Sequence, residues 1–443
     1  MFSVKKPTQH VLALAILTLI TYTGEAQSVS APRKLTLDQA IRLALETQPQ
    51  LKIAASRLAG AKARLIETAS SYYPQLTPSL DYTSSRNSYR VGGLTSTTVN
   101  ERSEASLGLR QLVYDMGRRE AQVAASKASV QASDFSLRNT RQTIILNVTT
   151  AYYELLRRRE LLRVQETAVE RAKATYDATK AYAEAGTVRQ IDVLQAEADY
   201  KNALVQLSVA TNDLRLAEAA LRNAIGLDTR ETVTASDETP SAPADNTAAE
   251  TLDSLVAKAF DNRPDLKSEL ALLNADRASA RIARINAGPV VEASITAGYR
   301  FDPDPGSNNI LMAALSFPLF DGGASRARVR QAEETLRQSQ QQIALARQEI
   351  HLAVEEAYLS REEARQRLTA ARSAAAAARA NYEAATAGYQ EGVQTIVDVI
   401  TARAQLVTAE TNVVQSLYDY HTAQARLLRA VGDNDPYWPG GKR

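Results

Sequence analysis

The stretch GYQEGVQTIVDVI, residues 388–400, interrupts more than 100 residues of helical pattern with a glycine and then frames an aspartate with apolar side chains. A second stretch, YAEAGTVRQIDVL at residues 182–194, has the same outline. A sharp helix end often needs a positive φ, which glycine adopts without steric cost. Gly186 and Gly392 are therefore predicted to be tip turns, at which a long helix reverses direction.

The two tip glycines are 206 residues apart, and the same separation recurs along most of the chain. It relates Asp192 to Asp398, Asp115 to Asp321, Gly117 to Gly323 and Gly226 to Gly432. Upstream, TLDQAIRLALETQPQL at residues 36–51 matches TLDSLVAKAFDNRPDL at residues 251–266, a separation of 215. The chain is thus predicted to contain two tandem structural repeats, the first with nine extra residues, and this favours a pseudo-symmetric architecture.

The duplication and the local composition predict five segments. Lys5 and Lys6, followed by a short apolar run and small residues up to Ala26, are typical of a signal peptide, with a buried N-terminal helix as the alternative. The apolar run is too short for a membrane-spanning helix. The segments are a signal peptide (1–26), a first repeat (27–227), a polar linker (228–250), a second repeat (251–432) and a C-terminal tail (433–443).

Each copy has the same predicted order of elements. An opening helix comes first, Leu37–Ser70 or Leu252–Asn286, and two strands of alternating polarity follow, as in VVEASITAGYR at residues 290–300. The loops between the strands are predicted at residues 90–101 and 302–309, and the longer first loop would hold the nine extra residues. An aspartate that can cap the next helix then marks each strand–helix junction. The junctions lie at Asp115 and Gly117 in the first copy and at Asp321 and Gly323 in the second.

The predicted helix lengths fit together. The helix after each junction runs about 67 residues to the tip glycine, and the return helix runs about 38 residues. At 1.5 Å per residue the long helix spans roughly 100 Å, the return helix about 57 Å and the opening helix about 50 Å. We therefore predict a rod in which the two shorter helices lie end to end beside the long one.

The strands add a constraint on assembly. One chain offers four strands, and about eight are needed to close even a small barrel. Open edges in lipid would leave backbone groups without hydrogen bonds. Two chains would give eight strands and a barrel with hardly any lumen, whereas three chains would give twelve strands and a wide lumen. We therefore expect a mainly α protein with a small β part that assembles as a trimer.

The composition argues against an enzyme. The 443 residues include no cysteine, which excludes disulfides, thiolate metal sites and a cysteine nucleophile. His10 lies in the signal region, His351 and His421 lie on different predicted helices, and no phosphate-binding glycine loop or nucleophile elbow occurs. Without residues 1–26 the chain has 50 basic and 49 acidic residues, which gives no reason to expect nucleic acid. No catalytic residue, metal site or cofactor is predicted.

With this layout the chain resembles the TolC-like outer-membrane efflux protein family, the outer membrane factors. The resemblance runs from LTLDQAIRLAL to LLRAVG, and its most specific pieces are FPLFDGG at residues 317–323 and GVQTIVDV at residues 392–399. It implies a homotrimer with a twelve-stranded outer-membrane β-barrel, continued through the periplasm by a long α-helical barrel. It also implies an export duct that docks with a periplasmic adaptor (membrane fusion) protein and an inner-membrane transporter of the RND, ABC or MFS type.

In that family the inward-facing residues of the helical tips close the channel at rest. Gln394 stands where the family can have an arginine, and Thr401 where it can have a second tip aspartate, so the resemblance implies fewer charged links in the closed state. Matched by motif, the periplasmic gate residues are Asp192, Asp398, Tyr389 and Gln394.

The two tip aspartates differ in their local sequence. Asp398 fits a capping box with Thr395, so it has a structural role available besides a gating one. Asp192 follows Arg189 at the corresponding position, and arginine is not a capping residue. Asp192 is therefore the better single candidate for the gate.

A soluble periplasmic coiled-coil adaptor or scaffold protein is the competing interpretation. Such a protein would share the export signal and the long helices, but it has no use for paired strands with an apolar outer face. Drugs, metal ions, and secreted peptides or proteins all fit as cargo of a passive duct whose partner pump selects the substrate.

Overall fold

The computed structural model describes residues 33–228, 233–236, 251–302 and 304–437. The predicted signal peptide, most of the predicted linker and the last residues of the tail lie outside these ranges. The described elements are, in chain order, β1 (Arg33–Leu35), α1 (Leu37–Thr47), α2 (Pro49–Ser70), β2 (Gln75–Val91), β3 (Leu94–Tyr114), α3 (Arg118–Glu184), α4 (Gln190–Ile225), β4 (Val233–Ala235), α5 (Leu252–Asn262), α6 (Pro264–Ile285), β5 (Val290–Asp302), β6 (Gly306–Ser316), α7 (Ala324–Gln390) and α8 (Ile396–Val431).

Corresponding helices of the two halves have equal lengths. The long helices α3 and α7 contain 67 residues each, and the return helices α4 and α8 contain 36 each. Among the opening helices, α1 and α5 contain 11 residues each, and α2 and α6 contain 22 each. These equal lengths, at separations of 206 and 215 residues, support the predicted duplication, and the fold is mainly helical as expected.

The prediction of one continuous opening helix is wrong, because each copy has two helices there. Pro49 begins α2 and Pro264 begins α6. A proline ring pushes the preceding residue out of the helical conformation. Gln48 (ψ 119°) and Arg263 (ψ 121°) are accordingly extended, and each interrupts the helix.

The return helices end at these two breaks. The Thr47 hydroxyl donates to the carbonyl oxygen of Ile225 at 2.7 Å, which joins the end of α1 to the end of α4. Arg263 Nη1 donates to the carbonyl oxygen of Ala430 at 3.3 Å and joins the corresponding break to the end of α8. This confirms the prediction that the shorter helices meet end to end beside the long one.

The four long strands form one antiparallel sheet in the order β2-β3-β5-β6. The central pair, β3 with β5, joins the two halves and aligns Leu109 with Ile295. β2 and β6 are the two edges.

The prediction of a longer loop in the first copy is wrong, since only Gly92 and Gly93, both at positive φ, connect β2 to β3. The extra residues lengthen the strands instead: β2 and β3 have 17 and 21 residues, against 13 and 11 in β5 and β6.

A second, smaller sheet was not predicted. β4 lies inside the segment assigned to the polar linker and pairs in parallel with β1, aligning Leu35 with Ala235. Both of these residues are buried. They join a core near the middle of the long helix that also contains Ile144, Val148, Tyr152 and Leu221. The described part of the chain thus has six strands rather than four.

None of the helices in the described ranges combines the length and the apolar character that a membrane crossing requires.

Candidate functional site

Both tip turns are built on a glycine in the left-handed conformation. Gly186 (φ 77°) follows α3, and Gly392 (φ 76°) follows α7. At the second tip the N–H of Val393 donates to the carbonyl oxygen of Gly388 at 2.9 Å, which closes the end of the long helix. Because other residues rarely adopt this φ, the glycines explain where each long helix ends and its return helix begins.

Asp192 lies in the first turn of α4 and is only 9% exposed. Its Oδ2 accepts the backbone N–H of Arg189 at 3.1 Å, and its Oδ1 lies 3.1 Å from Arg189 Nη2. The prediction that Asp192 has no capping role is therefore wrong. The arginine cannot cap through its side chain, but the aspartate reaches back to the arginine and satisfies its backbone.

Asp398 is exposed in the first turn of α8. Its Oδ2 accepts the Thr395 hydroxyl at 2.7 Å and the Thr395 N–H at 2.9 Å, and its own N–H donates to the Thr395 hydroxyl oxygen at 3.3 Å. The capping box is therefore present. The hydroxyl first, and then the N–H, hold the pKa of Asp398 below its ordinary value, because both stabilise the charged carboxylate.

Tyr389 connects the two tips. Its hydroxyl lies 3.4 Å from the hydroxyl of the fully buried Thr179 on α3, and its ring contacts that of Tyr182 edge-on at 6.4 Å. Tyr182 and Tyr389 border a cavity of about 220 Å³ between the long helices. Among the described residues no hydrogen bond joins the Tyr389 hydroxyl to Asp192. Tyr389 therefore links the two tips of one chain through Thr179 and Tyr182.

Gln394 is exposed at the second tip and packs on the last turn of α7. A Cβ added to Gly388 would lie 3.0 Å from Gln394 Cγ and Cδ. The backbone N–H of Gln394 also donates to the carbonyl oxygen of Gly388 at 3.1 Å. The contact thus uses the uncharged side chain of the glutamine and leaves no charge at this position.

The strand–helix junctions hold the long helices against the sheet. Asp115 accepts the N–H of Arg119 at 3.0 Å, and Asp321 accepts the N–H of Ser325 at 2.7 Å. Gly117 (φ 84°) and Gly323 (φ 90°) stand between each aspartate and its helix. The aspartates therefore cap their helices as expected. Asp115 is also buried in an ion pair with Arg119, whereas Asp321 is exposed.

Arginine–carboxylate pairs join the hairpin α3/α4 to the hairpin α7/α8, and we call this contact the hairpin seam. The partners are between 204 and 262 residues apart in the chain, so no local sequence pattern predicts these pairs. The pairs are Arg157 with Asp419 (3.3 Å), Arg171 with Glu410 (3.0 Å), and Arg403 with Asp199.

The two histidines in the described ranges do not form a site with one another. His351 is exposed, and its Nδ1 lies 3.8 Å from Glu355 on the same helix. His421 contacts the rings of Tyr153 and Tyr420 at 5.4 and 5.5 Å. Within the described ranges no group of three histidine, cysteine or acidic side chains could hold a metal ion.

Comparison with known proteins places this architecture. The sequence profile of the family described as outer membrane efflux protein matches residues 40–227 and 255–433. The chain is 26% identical to outer membrane protein TolC of Escherichia coli strain K12, over 95% of this chain and 86% of that protein. It is 23% identical to outer membrane efflux protein BepC of Brucella suis biovar 1, over 97% of this chain and 92% of that protein.

A solved structure agrees in fold. The CmeC outer membrane channel of Campylobacter jejuni superposes with a TM-score of 0.80 at 18% identity, covering 90% of this chain and 86% of that one. The relatives are channel proteins and not enzymes. They do not support the competing interpretation of a soluble periplasmic adaptor or scaffold protein. Because the profile matches far more than half of the chain and spans both halves, the chain belongs to the outer membrane efflux protein family and is an outer-membrane protein.

Proposed function

We propose that the chain, an outer-membrane exit duct for efflux or secretion, works as a gated homotrimer within a tripartite efflux or type I secretion system. Residues 27–227 and 251–432 are its two repeats. A periplasmic adaptor and an inner-membrane transporter of the RND, ABC or MFS type supply the substrate, and the duct conducts it passively.

The observation that carries this proposal is the sheet with two open edges at the end of the 67-residue helices. A four-stranded sheet cannot close on itself, and unpaired edges are not tolerated in lipid. Three such sheets side by side give a closed barrel of twelve strands. One face of the sheet also carries large apolar side chains that are exposed in one chain and suit a lipid surface: Leu76, Leu80, Tyr82, Ile295, Tyr299, Phe301 and Leu311.

The helices supply the rest of the duct. At 1.5 Å per residue, α3 and α7 each extend roughly 100 Å from the sheet to the tips. The tips therefore lie at the far end of the molecule from the sheet, where a gate and an adaptor contact belong. Acidic groups at both tips of three chains would surround one narrow opening, and such a ring favours cations over anions.

Neutralising both acids, Asp192→Asn together with Asp398→Asn, is expected to weaken cation preference severalfold and to raise the resting conductance in planar bilayers. The ring loses its negative charge, and the tip turns lose charged contacts to Arg189 and Thr395. Asp253→Asn is the matched control, since Asp253 is also exposed in the first turn of a helix but lies far from the tips. Unchanged selectivity and conductance in the double variant would reject the gate assignment.

The lowered pKa of Asp398 predicts the pH dependence of selectivity. In an Asp192→Asn background, Asp398 should keep its charge, and the pore its cation preference, to a pH below the ordinary aspartate pKa of about 3.9. Thr395→Val removes the hydroxyl that is the main cause of the shift, so cation preference should be lost at a higher pH.

Reversal potentials across a pH series measure this difference. Thr386→Val serves as control because the Thr386 hydroxyl donates to the carbonyl oxygen of Tyr382 and not to an acid. Identical midpoints in all three proteins would show that Asp398 does not set the selectivity.

A further inference from the structure

The hairpin of β2 and β3 is longer than the hairpin of β5 and β6, and the proposed function gives the extra length no role. The pairing of β3 with β5 ends at Ser103 and Asp302. The pairing of β2 with β3 continues to the turn at Gly92 and Gly93. Residues 84–101, which we call the protruding hairpin, therefore extend beyond the second hairpin on the side of the sheet opposite the helices.

The protruding hairpin continues the apolar face of the sheet with charged residues. Successive side chains of a strand point to opposite faces, and the pairing of β2 with β3 has no register shift. Arg86 and Arg90 therefore share a face with Leu76, Leu80 and Tyr82. We call it the outward face, because the proposed function places its apolar part against lipid. Both arginines are exposed, and they lie four and eight residues beyond Tyr82.

Aromatic rings mark the two ends of the apolar part. At the end near the protruding hairpin, Tyr82 lies opposite Ser103, and the rings of Tyr299 and Phe301 meet edge-on at 5.2 Å. At the other end, Tyr114 aligns with Val291. The β3 residues from Ser103 to Tyr114 rise about 28 Å for strands tilted by about 40°, close to the apolar band of about 25 Å in outer-membrane sheets. Tyr82 therefore marks the outer limit of the apolar layer.

The two arginines lie at different heights above this limit. With the same rise and tilt, Arg86 is about 10 Å and Arg90 about 20 Å beyond Tyr82. The headgroup layer of a phospholipid bilayer is only about 5–8 Å thick on each side. Phospholipid phosphates can therefore reach Arg86 at most. A lipid that carries phosphates on sugars extending outward from the bilayer has negative charge at both heights.

The two guanidinium groups are available to such a ligand. Arg86 lies opposite Val99 and Arg90 opposite Thr95, and neither arginine has an ion pair with a described residue. The acid of the protruding hairpin on this face is Glu101, which lies opposite Ser84 and nearer the apolar layer. Arginine binds phosphate through parallel N–H donors, so it suits this anion better than a point charge does.

We propose that the outward face of the protruding hairpin binds the phosphate groups of a glycolipid, with Arg86 on phosphates near the lipid anchor and Arg90 on phosphates of the outer sugars. This inference rests on the placement of the sheet in lipid in the proposed function and names the class of lipid at its outer rim. Shifting the two arginines by 215 residues gives Phe301 and Pro305, so the second copy has no equivalent surface. The extra residues of the first copy thus acquire a role.

Native mass spectrometry of the full-length protein, released from detergent with bound lipid, tests the proposal. The probe is lipopolysaccharide truncated to its phosphorylated inner sugar core. We expect wild-type trimers to retain it and the affinity of each site to fall about 30-fold in Arg86→Gln with Arg90→Gln, because each arginine near an anionic lipid surface contributes roughly the same attraction. Enzymatic removal of the phosphates from the probe should abolish retention by the wild type.

Arg102→Gln is the matched control, since Arg102 belongs to β3 beside the protruding hairpin but lies on the opposite face, where it pairs with Glu104. It should retain the glycolipid like the wild type. Phosphatidylglycerol, with one phosphate at the bilayer surface, should be retained equally by all three proteins.

Three results would overturn the proposal: equal glycolipid retention in the double variant and the wild type, an equal loss of phosphatidylglycerol in the double variant, or displacement of the glycolipid by inorganic phosphate alone. The same spectra report the number of copies. Trimers with unchanged retention refute only the glycolipid surface, whereas an absence of trimers refutes the proposed function.

Discussion

Replacing Arg403 by leucine is expected to lower the free energy of unfolding by about 3–5 kcal/mol, the usual effect of removing one partner from a buried ion pair. Arg403 is 7% exposed on α8, pairs with Asp199 on α4 and donates to the carbonyl oxygen of Ala168 on α3. The substitution leaves the largely buried carboxylate of Asp199 without its cation. One side chain therefore holds helices of both hairpins together.

Guanidinium titrations in detergent, followed by circular dichroism, measure this loss. Arg337→Leu is the control, because Arg337 pairs with Glu334 on the surface of α7 and should contribute at most about 1 kcal/mol. Adding Asp199→Leu to Arg403→Leu should recover much of the stability, since no buried charge then remains. A loss for Arg403→Leu no larger than for Arg337→Leu would mean that the buried pair does not hold the seam.

The sequence predicts those parts of the fold that local chemistry determines. The ends of the long helices follow from Gly186 and Gly392, because a positive φ is a property of one residue. The break before Pro49 could also have been predicted, since proline restricts the backbone conformation of the preceding residue in any surroundings. It was missed because the sequence has helical periodicity on both sides of the proline. The end-to-end arrangement followed from lengths alone.

The remaining features depend on contacts that no local pattern encodes. Residues 90–101 resemble a loop because they include two glycines and five Thr, Ser or Asn residues, yet most of the segment is paired in long strands, where β-branched side chains are well suited. The capping contact of Asp192 was missed because it uses the backbone of Arg189 and not its side chain. Arg403 could not be matched to Asp199 without the packing of three helices.

Replacing Gly432 by alanine is expected to destabilise the chain by about 2–5 kcal/mol, for two separate reasons. Gly432 follows α8 with φ 82°, a conformation that disfavours any side chain. A Cβ there would also lie 3.0 Å from the backbone nitrogen of Arg263 and 3.1 Å from the carbonyl carbon of Asn262. Backbone atoms cannot rotate away, so the end of α8 would have to leave the break between α5 and α6.

Gly186→Ala separates the two causes. Gly186 has a similar φ of 77°, but no atom lies within 4 Å of its missing Cβ, so only the conformational penalty of about 1–2 kcal/mol applies. The difference between the two variants, measured by the same guanidinium titrations, reports the contact between α8 and the helix break. Gly226→Ala should resemble Gly432→Ala, since its Cβ would lie 3.0 Å from Gln48 Cα. Equal losses of unfolding free energy in all three variants would show that the ends of the return helices do not pack against the breaks between α1 and α2 and between α5 and α6. The end-to-end arrangement would then need another source of stability.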